Sequence, residues 1–165
     1  MTHRIGIYPG TFDPIHEGHI AFALRAMELC RLDCVVFLPE TNPRGKQNVT
    51  AITLRSKALL DVCKKHLVLD VFIPTSSPFS VALTLPELNQ QFPDSFLTLL
   101  LGSDVFSHLK EWPDVSTLLP TVDIVVGLRK DADPLAIKKI ATDTGATVTI
   151  IELPETSHLS SRSLR

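Results

Sequence analysis

Continuous apolar runs alternate with helical patterns from one end of this 165-residue chain to the other. That alternation constrains the fold more than any single motif does. Strands are expected over Ile5–Tyr8, Cys34–Leu38, Leu67–Ile73, Phe96–Leu101, Val122–Gly127 and Thr147–Leu153. Several lack polar alternation, as strands covered on both faces should. Helices are expected between them, over Gly18–Arg31, Ile52–Lys65, about Leu85–Phe92, Val105–Leu119 in two pieces, and Pro134–Thr144. Strand–helix alternation of this kind specifies an α/β fold with a doubly wound parallel sheet. The length suits a single domain spanning 1–165 with a real core.

Punctuation marks the element ends. Thr84-Leu85-Pro86-Glu87 has the pattern of a capping box, with proline in the first turn. Gly145 follows the last helical pattern, and Pro113 after Trp112 divides the helical stretch before it. The longest irregular stretch, Pro39–Thr50, follows the second strand. Ligand loops of α/β sheets occupy that edge.

A formal net charge of −2 supplies no basic field to recruit nucleic acid. No apolar run approaches the ~20 residues of a membrane span. The chain enters a strand almost at once, with no secretory leader pattern, so a cytoplasmic protein is expected. Cys30, Cys34 and Cys63 fall on apolar faces and are expected as reduced thiols. A zinc site built from them with His66 is the lesser reading, and no metal ligand set is assigned.

Function concentrates between the first strand and the first helix, in Tyr8-Pro9-Gly10-Thr11-Phe12-Asp13-Pro14-Ile15-His16-Glu17-Gly18-His19. A helix start carries unpaired N–H groups and the positive end of the macrodipole, so it attracts anions. His16 and His19 add imidazole donors there, with Gly18 leaving room between them. Gly10 lets backbone approach a phosphate closely, and Thr11 and Phe12 complete the turn. The spacing is neither G-x-G-x-x-G nor a P-loop. Asp13 reads as structural, its carboxylate bonding backbone N–H groups at the turn. Gly102 and Asp104 end the fourth strand, where an acidic side chain either bonds ribose hydroxyls or caps the next helix. Trp112, the single tryptophan, either stacks on an aromatic ligand or fills a groove. Lys46, in the loop after the second strand, is placed to close over phosphates or stands uninvolved at the surface.

The segment Gly10-Thr11-Phe12-Asp13-Pro14-x-His16-x-Gly18-His19 resembles the signature of the H-x-G-H nucleotidyltransferase superfamily. Leu99-Leu100-Leu101-Gly102-Ser103-Asp104 with Leu109-Lys110-Glu111-Trp112, then Asp123–Arg129, then Leu159-Ser160-Ser161-Arg162-Ser163-Leu164-Arg165, resemble successive segments of bacterial nicotinate-nucleotide adenylyltransferases. Arg55 also falls where that family has an arginine. The resemblance implies a Rossmann-like adenylyltransferase fold that joins ATP, with Mg²⁺ held mainly by its phosphates, to nicotinate mononucleotide. It implies catalytic roles for His16, His19 and Arg165. ATP contacts would come from Gly10, Thr11, Phe12, Gly18, Lys46, Gly102, Asp104, Ser160 and Ser161, and acceptor contacts from Trp112, Arg129 and Ser80.

Arg162 stands where the family has threonine, and Asn42-Pro43-Arg44-Gly45-Lys46-Gln47 departs from its usual proline-proline-histidine-lysine. The segment Pro78-Phe79-Ser80 matches the family's nicotinate-ring segment only loosely. The chain is expected to lack the family's C-terminal helical segment. Pantetheine-phosphate adenylyltransferases, which share Tyr-Pro-Gly and a glycine-containing arginine motif, are the alternative. A nucleotide-binding sensor of the same fold is another. Homo-oligomerisation is compatible with the sequence.

Overall fold

The computed structural model describes residues 2–153. Among these residues six strands form one sheet: β1 His3–Gly10, β2 Cys34–Pro39, β3 Leu69–Val71, β4 Ser95–Gly102, β5 Val122–Leu128 and β6 Val148–Glu152. Their spatial order is β3-β2-β1-β4-β5-β6, and every neighbouring pair is parallel. The expected doubly wound parallel sheet is therefore the architecture that forms.

Alternation along each strand explains the unbroken apolar runs. Ile5 and Ile7 of β1, Leu97, Leu99 and Leu101 of β4, and Ile124 and Val126 of β5 enter one core layer. Phe37 of β2, Leu100 of β4 and Val125 of β5 enter the other. The second layer lies against α1 (Glu17–Cys30) and α2 (Ile52–Cys63), through Phe22, Ala23, Ala26 and Leu59. The first takes α3 (Val81–Gln91), the short helices α4 (Ser103–Phe106) and α5 (Val115–Leu118), and α6 (Pro134–Thr144). With both faces covered, most residues of the inner strands β2, β4 and β5 leave water, which is why polar spacing is missing there, while the edge strands β3 and β6 keep exposed positions.

Several boundaries differ from the sequence reading. The third strand keeps only three residues, and Leu67, expected within it, is 96% exposed. The third helix starts at Val81, four residues before the expected Leu85. Thr84 is not its cap: the Thr84 hydroxyl accepts from the Ser80 N–H at 2.9 Å, already inside the helix. Glu87 reaches past the helix to the Thr75 N–H at 2.8 Å, so the apparent capping pair acts across a longer gap. Pro86 thus sits within the helix rather than in its first turn. The stretch 103–121 breaks into α4, α5 and two 3₁₀ turns instead of two helices.

Cys63 is buried and Cys30 and Cys34 half-buried, all as free thiols. Burial, with Asp70 adding to it, raises the Cys63 thiol to about 11, so it stays protonated at neutral pH.

Candidate active site

β1 stands where the strand order reverses, with β2 on one side and β4 on the other. Crevices at such switch points, beyond the carboxyl ends of the strands, are where open α/β sheets hold ligands. A cleft of about 680 Å³ opens there, within the range of small-molecule sites. Gly10, Thr11, Phe12, His16, Gly18 and His19 line it from the β1–α1 turn, Lys46 from the loop after β2, Gly102 and Asp104 from the end of β4, and Trp112 and Arg129 from beyond it. Residues scattered over 120 positions of sequence meet because parallel strands deliver all their carboxyl ends to one edge.

The two histidines form an unusual cap. His16 is the N-cap of α1, and its Nδ1 accepts from the Gly18 N–H at 3.1 Å. His19, three residues on, returns the favour: its Nδ1 accepts from the His16 N–H at 3.3 Å. The geometry is that of a capping box with imidazoles in place of serine and glutamate. The rings stack with centroids 3.7 Å apart. Each Nδ1 uses its lone pair on a backbone N–H, so the proton of each neutral ring belongs on Nε2. Two Nε2–H donors are thereby held in the cleft.

Electrostatics keeps those rings neutral. Burial lowers the His19 pKa to about 3, with the charges of His16, Arg129 and Lys46 adding to it. Burial also lowers His16, followed by Arg129, with Glu17 opposing. A bound polyphosphate would push both the other way, because an anion beside an imidazole favours its charged form.

The glycine turn is packed from beneath. The Phe12 ring is 2% exposed and lies edge-on to Tyr8, Phe37 and His19. A Cβ on Gly10 would come within 2.8 Å of that ring, so glycine is required here by packing as well as by close ligand approach. Phe12 has φ +47°, the left-handed region that bulky side chains rarely adopt. Thr11 is buried, and its hydroxyl accepts from Lys46 Nζ at 2.6 Å. Asp13 is buried too, and its carboxylate accepts from the Thr50 N–H at 2.9 Å. It therefore ties the turn to the end of the loop, while His16 caps the helix.

On the far wall, Gly102 caps α4 and Asp104 lies in its first turn. Asp104 turns toward the Arg129 guanidinium at 3.4 Å. The buried Ser103 hydroxyl accepts from the Arg129 N–H at 3.1 Å and fixes the end of β5. Trp112 is half-buried, packed against the core and tilted against Phe79 with ring centroids 5.8 Å apart. It fills a groove and faces the cleft at once.

Ser80 is the N-cap residue of α3 and does not line the cleft; its neighbours Pro78 and Phe79 do. Ser160, Ser161 and Arg165 lie outside the described residues. Tyr8, Arg44 and Phe79, which the sequence analysis named within its segments without giving them a site role, also line the cleft, as does Glu40, which it missed. Phe79 carried a signal in its aromatic character beside Pro78. Glu40 carried none: its carboxylate accepts the Phe79 N–H at 3.0 Å, a contact between residues 39 apart in sequence. Burial holds the Tyr8 phenol well above its ordinary pKa, so it stays protonated.

A model of the family described as cytidylyltransferase-like matches residues 7–165. A protein of Shewanella sp. (strain W3-18-1) described as "probable nicotinate-nucleotide adenylyltransferase" is 29% identical over 162 residues, covering 94% of this chain and 75% of its own length. A Shewanella putrefaciens relative of the same description is 37% identical over 113 residues, 66% of this chain and 53% of its own. The chain thus spans between about half and three quarters of these relatives. Among solved structures, Plasmodium falciparum nicotinic acid mononucleotide adenylyltransferase complexed with NaAD superimposes with a TM-score of 0.78 at 17% identity, over 98% of this chain and 82% of that one. At that identity the likeness is one of fold.

Proposed function

The chain belongs to the cytidylyltransferase-like family, and on that premise we propose that it transfers the adenylyl group of ATP to nicotinate mononucleotide. The observation that carries the reading is the histidine pair, with both Nδ1 atoms tied to backbone N–H groups and both rings lining the cleft. In the proposed reaction an oxygen of the mononucleotide 5′-phosphate forms a bond to the α-phosphorus of ATP. The bond from that phosphorus to the α–β bridging oxygen breaks, and pyrophosphate leaves with the electron pair. The attacking phosphate is already an anion, so the protein needs no nucleophile of its own. Its task is positioning and charge stabilisation.

His16 and His19 donate Nε2–H to the α-phosphoryl oxygens as their charge grows, and Lys46 and the Gly10–Thr11 backbone hold the remaining phosphates. Gly102 and Asp104 face the ribose, and Arg129 the acceptor phosphate. Mg²⁺ arrives as part of the MgATP substrate. Among the described residues, Glu40 and Asp104 are the carboxylates lining the cleft; the first accepts from the Phe79 N–H and the second faces Arg129. No cluster of three His, Cys, Asp or Glu side chains suited to a metal occurs among the described residues.

The tilted Trp112–Phe79 pair favours a flat heteroaromatic acceptor over the linear chain of phosphopantetheine. The experiment is an acceptor panel: pyrophosphate release from MgATP with nicotinate mononucleotide, nicotinamide mononucleotide and phosphopantetheine. Preferred turnover of nicotinate mononucleotide supports the reading. Turnover of phosphopantetheine alone, or tight ATP binding without release, overturns it.

A further inference from the structure

Arg55 does not line the cleft, yet it is a charged side chain only 3% exposed, one turn into α2 behind the β1–α1 turn. Its guanidinium donates to three carbonyl oxygens from three segments. Nη1 reaches Thr11 at 2.7 Å, Nε reaches Thr50 at 2.7 Å and Nη2 reaches Glu40 at 3.0 Å. Glu40 and Thr50 are the two ends of the irregular loop that carries Lys46. Both ends are fastened to the turn a second time, Glu40 N–H to the Gly10 carbonyl at 2.9 Å and Thr50 N–H to Asp13 at 2.9 Å.

We propose that Arg55 is a positioning residue for the nucleotide, clamping both ends of the 40–50 loop against Thr11 so that Lys46 and the glycine turn face one triphosphate. The inference rests on the adenylyl-transfer reading for its substrate, though not for its geometry. A buried cation is costly unless it is fully bonded, and here carbonyl dipoles, with Asp13 and Glu40 nearby, compensate the charge. The guanidinium spreads its donors over three nitrogens in a rigid plane and so spans three separated acceptors. Lysine keeps the charge but concentrates its donors on one atom.

The test compares wild type with Arg55→Lys and Arg55→Ala in three ways: cooperative melting, backbone amide exchange over residues 40–50, and MgATP affinity by calorimetry. The expected result is cooperative melting of Arg55→Lys, faster exchange in the loop, and MgATP affinity weakened roughly tenfold, the size of a charged hydrogen bond lost from preorganisation. Guanidinium ion added to Arg55→Ala should restore part of that affinity. Unchanged loop exchange and unchanged MgATP affinity in the folded variants would overturn the proposal. So would loss of folding in both variants, which would assign Arg55 to the fold alone. If wild type binds MgATP but transfers nothing to nicotinate mononucleotide, the functional reading fails while the exchange and affinity results still judge Arg55.

Discussion

Replacing His19 by asparagine separates the two properties that the structure gives this residue. The asparagine oxygen can occupy the place of Nδ1 and accept the His16 N–H, so the cap survives while the titrating ring is lost. In the folded chain burial holds the His19 pKa near 3, against 6.5 for an unperturbed ring. The unfolded chain therefore takes up the proton first as the pH falls. The associated stability is fully present above about 6.5 and is lost progressively as the pH drops toward 3. Each unit of difference corresponds to ~1.4 kcal/mol, and the ring lines an open cleft where water solvates part of the charge. The wild type should therefore lose about 2–3 kcal/mol from this group between pH 6.5 and pH 4. Urea unfolding of both proteins at pH 7 and pH 4 isolates that contribution, because every other acidic group is common to the two. The variant should show a pH dependence smaller by about 2–3 kcal/mol with unchanged m-values. Parallel pH dependences would refute the neutral, buried imidazole and with it the Nε2–H donor.

Lys46→Met removes the 2.6 Å contact with Thr11 and one cation from the cleft. It should raise the KM for ATP about tenfold while leaving the KM for the acceptor nearly unchanged, as steady-state kinetics can check. Gly102→Ala places a Cβ 2.6 Å from the Asp104 carboxylate. Asp104 is exposed and free to rotate away from Arg129, so thermal stability should change by less than ~1 kcal/mol while MgATP affinity falls several-fold in calorimetry. Asp143→Asn weakens the grip of Lys110 at 2.7 Å and Lys139 at 2.9 Å, which joins α6 to the turn before Trp112. The hydrogen bonds of Lys110 and Lys139 hold that carboxyl down to about 2, so the clamp persists above that pH and opens below it. Amide exchange at residues 109–112 should quicken in the variant at neutral pH.

What the sequence revealed follows a physical division. Inner strands buried on both faces declare themselves by unbroken apolar runs, and all six expected strands overlap observed ones, although the edge strand β3 is shorter than expected. The histidine turn was legible because its ligand-facing residues are contiguous, so one local geometry serves them all. Thr84–Glu87 misled because a capping box is defined by residue types, and Glu87 was engaged instead by Thr75, which no short-range pattern relates to it. Helix α1 ends at Arg31 in the left-handed region at φ +52°, without the glycine that usually marks such an end. Glu40 and the role of Arg55 were illegible for the same reason. Their partners are backbone atoms 5 to 44 residues away, and backbone donors and acceptors leave no trace in residue identity.

Phosphorus-31 NMR of the purified protein with MgATP and nicotinate mononucleotide puts the adenylyl-transfer claim to its most direct trial. The three ATP resonances should decline together with that of the mononucleotide. Inorganic pyrophosphate and a dinucleotide diphosphate should rise in equal amounts. Appearance of ADP and orthophosphate in their place, or an unchanged spectrum from a folded protein that binds MgATP, would contradict attack at the α-phosphorus.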